Sequence, residues 1–288
     1  MQKVKNIVLQ NIHGRDFLAD IFLPAGNIKS TALFIHGFKG FKDWGHWDVI
    51  AERLAEAGIL FIKFNFSHNG TTIEAPMDFE DLEAFGQNNF LIELDDIDTV
   101  IDWMRSDSFS EKYALAQKIE QLPLTLIGHS RGGGIAIIKA AEDSRVEKLI
   151  TWAAVHDFGR KWNGDMLNDW ADEGVRHILN GRTGQQMPLY YQLYETYATH
   201  RERLDIPSVY TGFSKPHLII HGTEDPAVPP SAATALHRWN PDSQLIMMEG
   251  ADHVFGGRHP FDRVDTEEDL PEDSRSLVTF SIDFILNQ

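Results

Sequence analysis

Residues 124–135 read LTLIGHSRGGGI, and this stretch predicts how much of the chain around it folds. Leu124 to Ile127 is an apolar run typical of a buried strand, and the glycine-rich segment that follows opens a helix. Between them, Gly128-His129-Ser130-Arg131-Gly132 fits the pattern Gly-x-Ser-x-Gly, in which a serine stands on a sharp turn where larger flanking side chains would collide. The alternative is a glycine-rich turn without catalysis, because so short a motif also occurs by chance.

Apolar strands alternate with helices on both sides of this turn. An apolar stripe from Phe90 to Met104 predicts a long helix, and Gly58 stands where a helix would end. Such alternation predicts an α/β protein with a mostly parallel eight-stranded sheet and helices on both faces. The predicted strands are residues 4–10, 17–23, 31–35, 59–64, 124–127, 146–152, 217–220 and 244–248.

Residues 157–210 break this alternation and hold five of the six tyrosines. Asn180-Gly181 predicts a hairpin turn in this segment, and a helix is expected from Tyr190 to Arg203. We therefore expect a core of residues 1–156 and 211–288, with residues 157–210 inserted as a cap or lid. The aromatic side chains of the cap would either line an acyl pocket or form a small core of their own.

Composition and charge exclude several classes of protein. The chain has 288 residues and a formal net charge of −17, which argues against binding to nucleic acid or to anionic membrane surfaces. There is no cysteine, which excludes disulfides, cysteine-based metal sites and a thiol nucleophile. No stretch approaches the roughly 20 apolar residues of a membrane span, and the N-terminus lacks the apolar centre of a signal peptide. We expect a soluble cytoplasmic protein.

A serine hydroxyl needs a base to become a nucleophile, so a histidine must approach Ser130. The chain has 13 histidines, and the useful test is therefore chain order and position after strand ends. Asp225 follows the strand at 217–220 and His253 follows the strand at 244–248, in the order serine, acid, histidine. This predicts Ser130 as nucleophile, Asp225 as acid and His253 as base. Glu224 is the rival to Asp225, and Asp252 is expected to be a structural carboxylate.

The sequence resembles the α/β-hydrolase superfamily over nearly its whole length, closest to its serine esterase and acyl-peptidase-like (dienelactone-hydrolase-like) branch. In that family, residues matching Ser130, Asp225 and His253 form a catalytic triad. The resemblance further implies an oxyanion hole built from the backbone N–H groups of Phe38 and Arg131. The motifs that carry it are His36-Gly37-Phe38, the pentapeptide around Ser130, the segment His221–Pro229 and Gly250-Ala251-Asp252-His253.

The expected function is that of a carboxylesterase-like serine hydrolase acting on a small-molecule acyl substrate, a small or medium ester, through an acyl-enzyme on Ser130. An amide, peptide or thioester hydrolase and a cofactor-free perhydrolase would use the same residues. A non-catalytic binding protein with this fold is a further alternative. No cofactor is expected, and His46, His68, His156 and His259 lack partners at metal-ligand spacing, so no metal site is expected either.

Two surface features are left open by the sequence. Lys39, Lys42 and Arg131 are expected near the pocket mouth, where they either favour an acidic group on the substrate or are ordinary solvated side chains. A homodimer is also open, since edge strands and cap surfaces are common dimer contacts in such folds.

Overall fold

The computed structural model of the chain describes residues 1–115, 118–160, 162, 164–262 and 269–287. Strands and helices alternate along most of this part of the chain. The strands are β1 (Gln2–Gln10), β2 (Asp16–Leu23), β3 (Ser30–Ile35), β4 (Ile59–Phe64), β5 (Leu124–His129), β6 (Lys148–Trp152), β7 (Val175–Leu179), β8 (Gln186–Tyr190), β9 (His217–Gly222) and β10 (Gln244–Met248).

The α-helices within the described ranges vary from four to fifteen residues in length. None of them is long and apolar enough to cross a membrane. They are α1 (Trp47–Glu56), α2 (Leu82–Gln87), α3 (Phe90–Met104), α4 (Asp107–Lys112), α5 (Arg131–Glu142), α6 (Gly164–Glu173), α7 (Gln192–Thr199), α8 (Arg201–Leu204), α9 (Ile206–Thr211), α10 (Ser231–Trp239) and α11 (Glu272–Leu286).

Eight strands form one sheet in the order β1-β2-β4-β3-β5-β6-β9-β10. β1 pairs with β2 and β2 with β4 in antiparallel fashion, and every other neighbouring pair in this sheet is parallel. The predicted fold class, a mostly parallel eight-stranded sheet, is confirmed. In such a sheet the carboxyl ends of the parallel strands share one edge, and ligands bind beside it.

Helices cover both faces of the sheet, as predicted. In β3, Leu33 and Ile35 contribute to one apolar core, whereas Ala32 and Phe34 contribute to the other, because successive side chains of a strand point to opposite faces. Residues of α3, α5 and α10 complete the first core, and residues of α1 and α11 complete the second. The strands of the sheet centre are therefore apolar throughout rather than alternating.

The connection from β6 to β9 contains α6 to α9 and a two-stranded antiparallel sheet of β7 and β8. The hairpin predicted at Asn180-Gly181 is confirmed. The single helix predicted from Tyr190 to Arg203 is wrong: Tyr190 pairs with Val175 in the hairpin, and α7 and α8 are separate helices that meet at His200. The division into core and cap stays a prediction, and α9 spans its boundary at residue 210.

Candidate active site

Ser130 lies on the turn between the end of β5 and the start of α5. Its backbone has φ 57° and ψ −121°, a conformation that residues other than glycine rarely adopt. The Ser130 N–H donates to the Trp152 carbonyl oxygen at 2.9 Å, which ties the turn to β6. A Cβ atom at Gly128 would lie 2.5 Å from the Gly132 carbonyl oxygen, and one at Gly132 would lie 2.4 Å from the His36 carbonyl oxygen. Close backbone contacts therefore demand both flanking glycines, as the sequence predicted.

His253 and Asp225 lie beyond the carboxyl ends of β10 and β9 and are hydrogen-bonded to each other. His253 Nδ1 lies 2.7 Å from Asp225 Oδ2. The other carboxylate oxygen accepts the N–H groups of Ala227 and Val228 at 2.8 and 2.9 Å. Burial alone would raise the pKa of Asp225, but hydrogen bonds from His221, His253 and a backbone N–H lower that pKa well below its ordinary value. The carboxylate is therefore ionised and fixes the orientation of the imidazole.

His221 contacts the same carboxylate, a role that was not predicted from the sequence. Its ring is fully buried, with Nε2 2.9 Å from the Val228 carbonyl oxygen and 3.2 Å from Asp225 Oδ2. Because both neighbours are acceptors, Nε2 carries the proton and stabilises the turn that presents Asp225. The available signal was its position four residues before Asp225, at the end of a buried strand.

His36 and His129 are buried near Ser130 and His253 and are uncharged. His36 Nε2 accepts the Phe66 N–H at 3.1 Å, and His129 Nε2 donates to the His253 carbonyl oxygen at 2.9 Å. Burial lowers the pKa of His36 to about 4 and that of His129 to about 3. His129 thereby holds the backbone of His253.

The two carboxylates that compete with Asp225 in the sequence lie elsewhere. Asp252 Oδ1 accepts the N–H groups of Val254 and Gly256 at 3.0 and 2.9 Å, so it has the structural role that was predicted. Glu224 is exposed. Among the three acids, Asp225 is the one that is hydrogen-bonded to the His253 ring.

Phe38 and Arg131, the residues predicted to supply the oxyanion hole, contact each other through their side chains. The Arg131 guanidinium lies 4.9 Å from the centre of the Phe38 ring and 5.0 Å from the centre of the Phe90 ring. It also forms a buried ion pair with Glu93, whose other contact is the Asn88 side-chain amide at 2.9 Å. This stacked ion pair fixes the two chain segments that carry the predicted N–H donors.

Two cavities meet at Ser130. The larger has a volume of about 650 Å³ and the smaller about 310 Å³, and both are lined by Phe38, Lys39, Ser130 and His253. The larger extends beneath the connection from β6 to β9, where its lining is mostly apolar. Its aromatic members are Phe38, Phe90, Phe158, Trp162 and Trp170.

Some aromatic side chains of the segment 157–210 line the larger cavity, and others pack against one another, so each of the two suggested arrangements holds in part. Trp162 and Trp170 line the larger cavity, whereas the tyrosines of this segment do not. Tyr191 and Tyr194 pack behind the tryptophans, with the Trp170 and Tyr191 ring centres 5.7 Å apart and those of Trp162 and Tyr194 5.6 Å apart. Tyr191 and Tyr194 therefore support the cavity wall rather than forming its surface.

The expectation that Lys42 lies at the pocket mouth is wrong. Its ammonium group is fully buried, 2.8 Å from Asp20, within a cluster of lysines and aspartates. Lys63 bridges Asp20 and Asp43 in the same cluster at 3.1 and 2.6 Å. A buried charge needs a compensating partner. Lys42 is buried because Asp20 on β2 supplies that partner. Asp20, Asp43 and Asp48 approach one another closely, but each is paired with lysine.

A family model described as the alpha/beta hydrolase family matches residues 32–267 of this chain. The match spans most of the sequence, and the chain therefore belongs to the α/β-hydrolase family. No curated protein sequence matches the chain. The comparisons do not separate the dienelactone-hydrolase-like branch from others, so that finer placement stays a prediction.

Solved structures with the same fold cover almost the whole chain. A putative hydrolase from Agrobacterium vitis S4 aligns with a TM-score of 0.71 at 19% identity, covering 99% of this chain and 100% of that one. Est1E from Butyrivibrio proteoclasticus with ferulic acid bound gives 0.69 at 20% identity, covering 98% of each chain. An alpha-beta serine hydrolase homologue from Coxiella burnetii gives 0.59 at 16%, covering 99% and 97%. At these identities the likeness is one of fold.

Proposed function

We propose that the protein is a serine hydrolase that cleaves a small or medium carboxylic ester through an acyl-enzyme on Ser130. The observation that carries the proposal is the 2.7 Å hydrogen bond between His253 and Asp225, together with a strained Ser130 that lines the same cavity as His253. Membership of the α/β-hydrolase family supports hydrolysis as the reaction class.

In the proposed first step, Ser130 Oγ attacks the ester carbonyl carbon. His253 Nδ1–H donates a hydrogen bond to the ionised Asp225 carboxylate, so Nε2 is the ring nitrogen left to accept the serine proton. The carbon–oxygen bond to the alcohol then breaks, and the imidazolium returns the proton to the departing alcohol. Water, deprotonated by His253, attacks the acyl-enzyme in the second half and releases the acid and free Ser130.

Negative charge on the carbonyl oxygen needs prearranged donors in both halves of the reaction. The proposed donors are the backbone N–H groups of Phe38 and Arg131. The stacked side chains of these residues, anchored through Glu93, would keep the donors in position. In other enzymes, removing one such donor costs about 3–4 kcal/mol of transition-state stabilisation.

Two cavities that share Ser130 suit a substrate with two halves. One cavity would hold the acyl group and the other the alcohol, with the ester carbonyl at the shared wall. Two neighbours are described as an esterase domain from Rhodothermus marinus and as Est1E with ferulic acid, and this supports an ester as the first substrate to try.

The test is hydrolysis of p-nitrophenyl esters of graded chain length by wild type, Ser130→Ala and a control, Ser231→Ala. Ser231 is exposed at the start of α10, so its loss should leave the rate unchanged. Ser130→Ala should lower kcat by roughly 10⁶-fold, as for other enzymes that lose a nucleophilic serine. Equal rates for wild type and Ser130→Ala would contradict the proposal, and activity only on thioesters, amides or peroxide would change the substrate class.

A further inference from the structure

The larger cavity at Ser130 is lined by cationic side chains although the protein as a whole is strongly acidic. The formal net charge of the chain is −17. Four cationic side chains line the cavity, and no carboxylate does so among the described residues. The charged side chains that line the cavity are therefore opposite in sign to the net charge of the chain. The four cations are Lys39, Arg131, Arg160 and Arg176.

Two of these four cations already have partners. Arg131 is ion-paired with Glu93, and Lys39 Nζ donates to the Leu179 carbonyl oxygen at 3.2 Å. Their positions are therefore explained by contacts within the protein. They contribute positive charge to the cavity wall, but neither has to bind a ligand to be satisfied.

Arg160, like Lys39, has a backbone carbonyl oxygen as a partner, but its Nε and the Arg176 side chain have no acceptor among the described residues. Neither arginine forms an ion pair with any residue that the structure describes. Arg160 donates from Nη1 to the Asp157 carbonyl oxygen at 3.2 Å, and its Nε is buried. A buried donor without an acceptor is unfavourable, by about 1–3 kcal/mol for a typical group.

Asp225 does not satisfy Arg160. The Asp225 carboxylate already accepts hydrogen bonds from His253 and from two backbone N–H groups. His221 Nε2 also lies 3.2 Å from its Oδ2 atom. The charge of Asp225 acts on Arg160 at a distance, as does that of Asp157, while burial lowers the pKa of the guanidinium. Arginine stays charged throughout the ordinary pH range, so the cavity keeps its cations.

We propose, on the basis of the proposed esterase function, that this cavity selects substrates in which a hydrophobic group ends in a carboxylate. Arg160 and Arg176 are the specificity-determining residues, because a guanidinium matches the two oxygens of a carboxylate with parallel hydrogen bonds. Phe158, Trp162 and Trp170 contact the hydrophobic part. Arg160 follows β6 and Arg176 lies on β7, so the connection between β6 and β9 determines the substrate.

The test measures binding to Ser130→Ala protein, so its outcome does not depend on turnover. The probes are 4-phenylbutyrate and its neutral amide, which differ in charge but hardly in size. The carboxylate should bind at least tenfold more tightly, and the preference should weaken as salt screens the arginines. Arg160→Gln and Arg176→Gln should each remove most of it, whereas Arg201→Gln should keep it, because Arg201 is 71% exposed and lies outside the cavity.

Equal affinities for acid and amide, no measurable binding of either, or a preference that survives both cavity variants would overturn the inference. A failed binding test with normal hydrolysis of neutral esters would leave the proposed function intact. Binding with the expected preference, but without hydrolysis of any ester, would instead contradict the proposed function.

Discussion

Removing the charge of Arg131 should destabilise the protein, because Arg131 is ion-paired with the buried Glu93 carboxylate. The Glu93 side chain is 5% exposed and that of Arg131 is 13% exposed, so solvent screens the pair little. In Arg131→Met, the long apolar side chain still fills the space between Phe38 and Phe90, but the charge is gone. Glu93 is then left as a buried carboxylate with one neutral partner, the Asn88 amide at 2.9 Å.

Removing one partner of a buried ion pair typically costs 3–5 kcal/mol. Since Asn88 still donates to Glu93, we expect the lower end, a loss of about 3 kcal/mol in the free energy of unfolding. For a chain of this size, that corresponds to a fall in melting temperature on the order of 5 °C. The double variant Arg131→Met/Glu93→Gln removes the charge from both sides and should regain most of the loss, to within about 1 kcal/mol of wild type.

The assay is urea unfolding followed by the fluorescence of the seven tryptophans, on wild type, both single variants and the double variant. The interaction free energy follows from the four values, since the two residues are in contact. If the double variant is no more stable than Arg131→Met, the unpaired Glu93 charge is not what destabilises the single variant, and the prediction is wrong. In ester hydrolysis, Arg131→Met should lower kcat more than it raises KM, because the proposed oxyanion donors lose the ion pair that holds them in position.

Three further predictions concern the triad, the pH dependence of stability and the turn at Ser130. Asp225→Asn should lower kcat by about 10⁴-fold with the fold retained, as in a well-studied serine protease triad, and circular dichroism checks that the fold is intact. Burial lowers the pKa of His217 to about 3. The difference from the unfolded pKa near 6.5 stabilises the folded state fully above that pKa, and this stabilisation declines as pH falls from there. His217→Asn should therefore reduce the slope of unfolding free energy against pH, measured between pH 4 and 6, by about 1.4 kcal/mol per pH unit, and an unchanged slope would contradict this. Gly132→Ala places Cβ 2.4 Å from backbone carbonyl oxygens and should destabilise the protein by about 1–3 kcal/mol or more, whereas Gly212→Ala, with no atom within 4 Å, should be nearly neutral in the same urea assay.

Local sequence signals predicted the features that depend on neighbouring residues. The stripe from Phe90 to Met104 predicted α3 with its observed ends, and Gly58 has φ +97° just beyond α1, as a residue that ends a helix often does. The strand and glycine turn around Ser130 were likewise readable, because the crowding at Gly128 and Gly132 comes from the turn and the strand beside it.

Features that depend on distant contacts were not predictable from the sequence. Lys42 was expected near the pocket mouth, yet it is buried because β2 brings Asp20 to it. Tyr190 was expected in a helix, but pairing with Val175 places it in a strand. The role of His221 and the presence of Arg160 and Arg176 in the larger cavity likewise depend on which loops meet beyond the sheet edge. A single sequence contains the residues but not these distances.

The most direct test of the central claim is covalent labelling of Ser130 by a fluorophosphonate, which reacts with an activated serine. Trypsin should release residues 119–131 as one peptide, and Ser130 is the sole serine in it, so mass spectrometry locates the label without ambiguity. We expect a label on this peptide in wild type, none in Ser130→Ala, and slower labelling in Asp225→Asn. A folded wild-type protein that takes up no label on residues 119–131, or labels equally well after Ser130→Ala, would contradict this prediction.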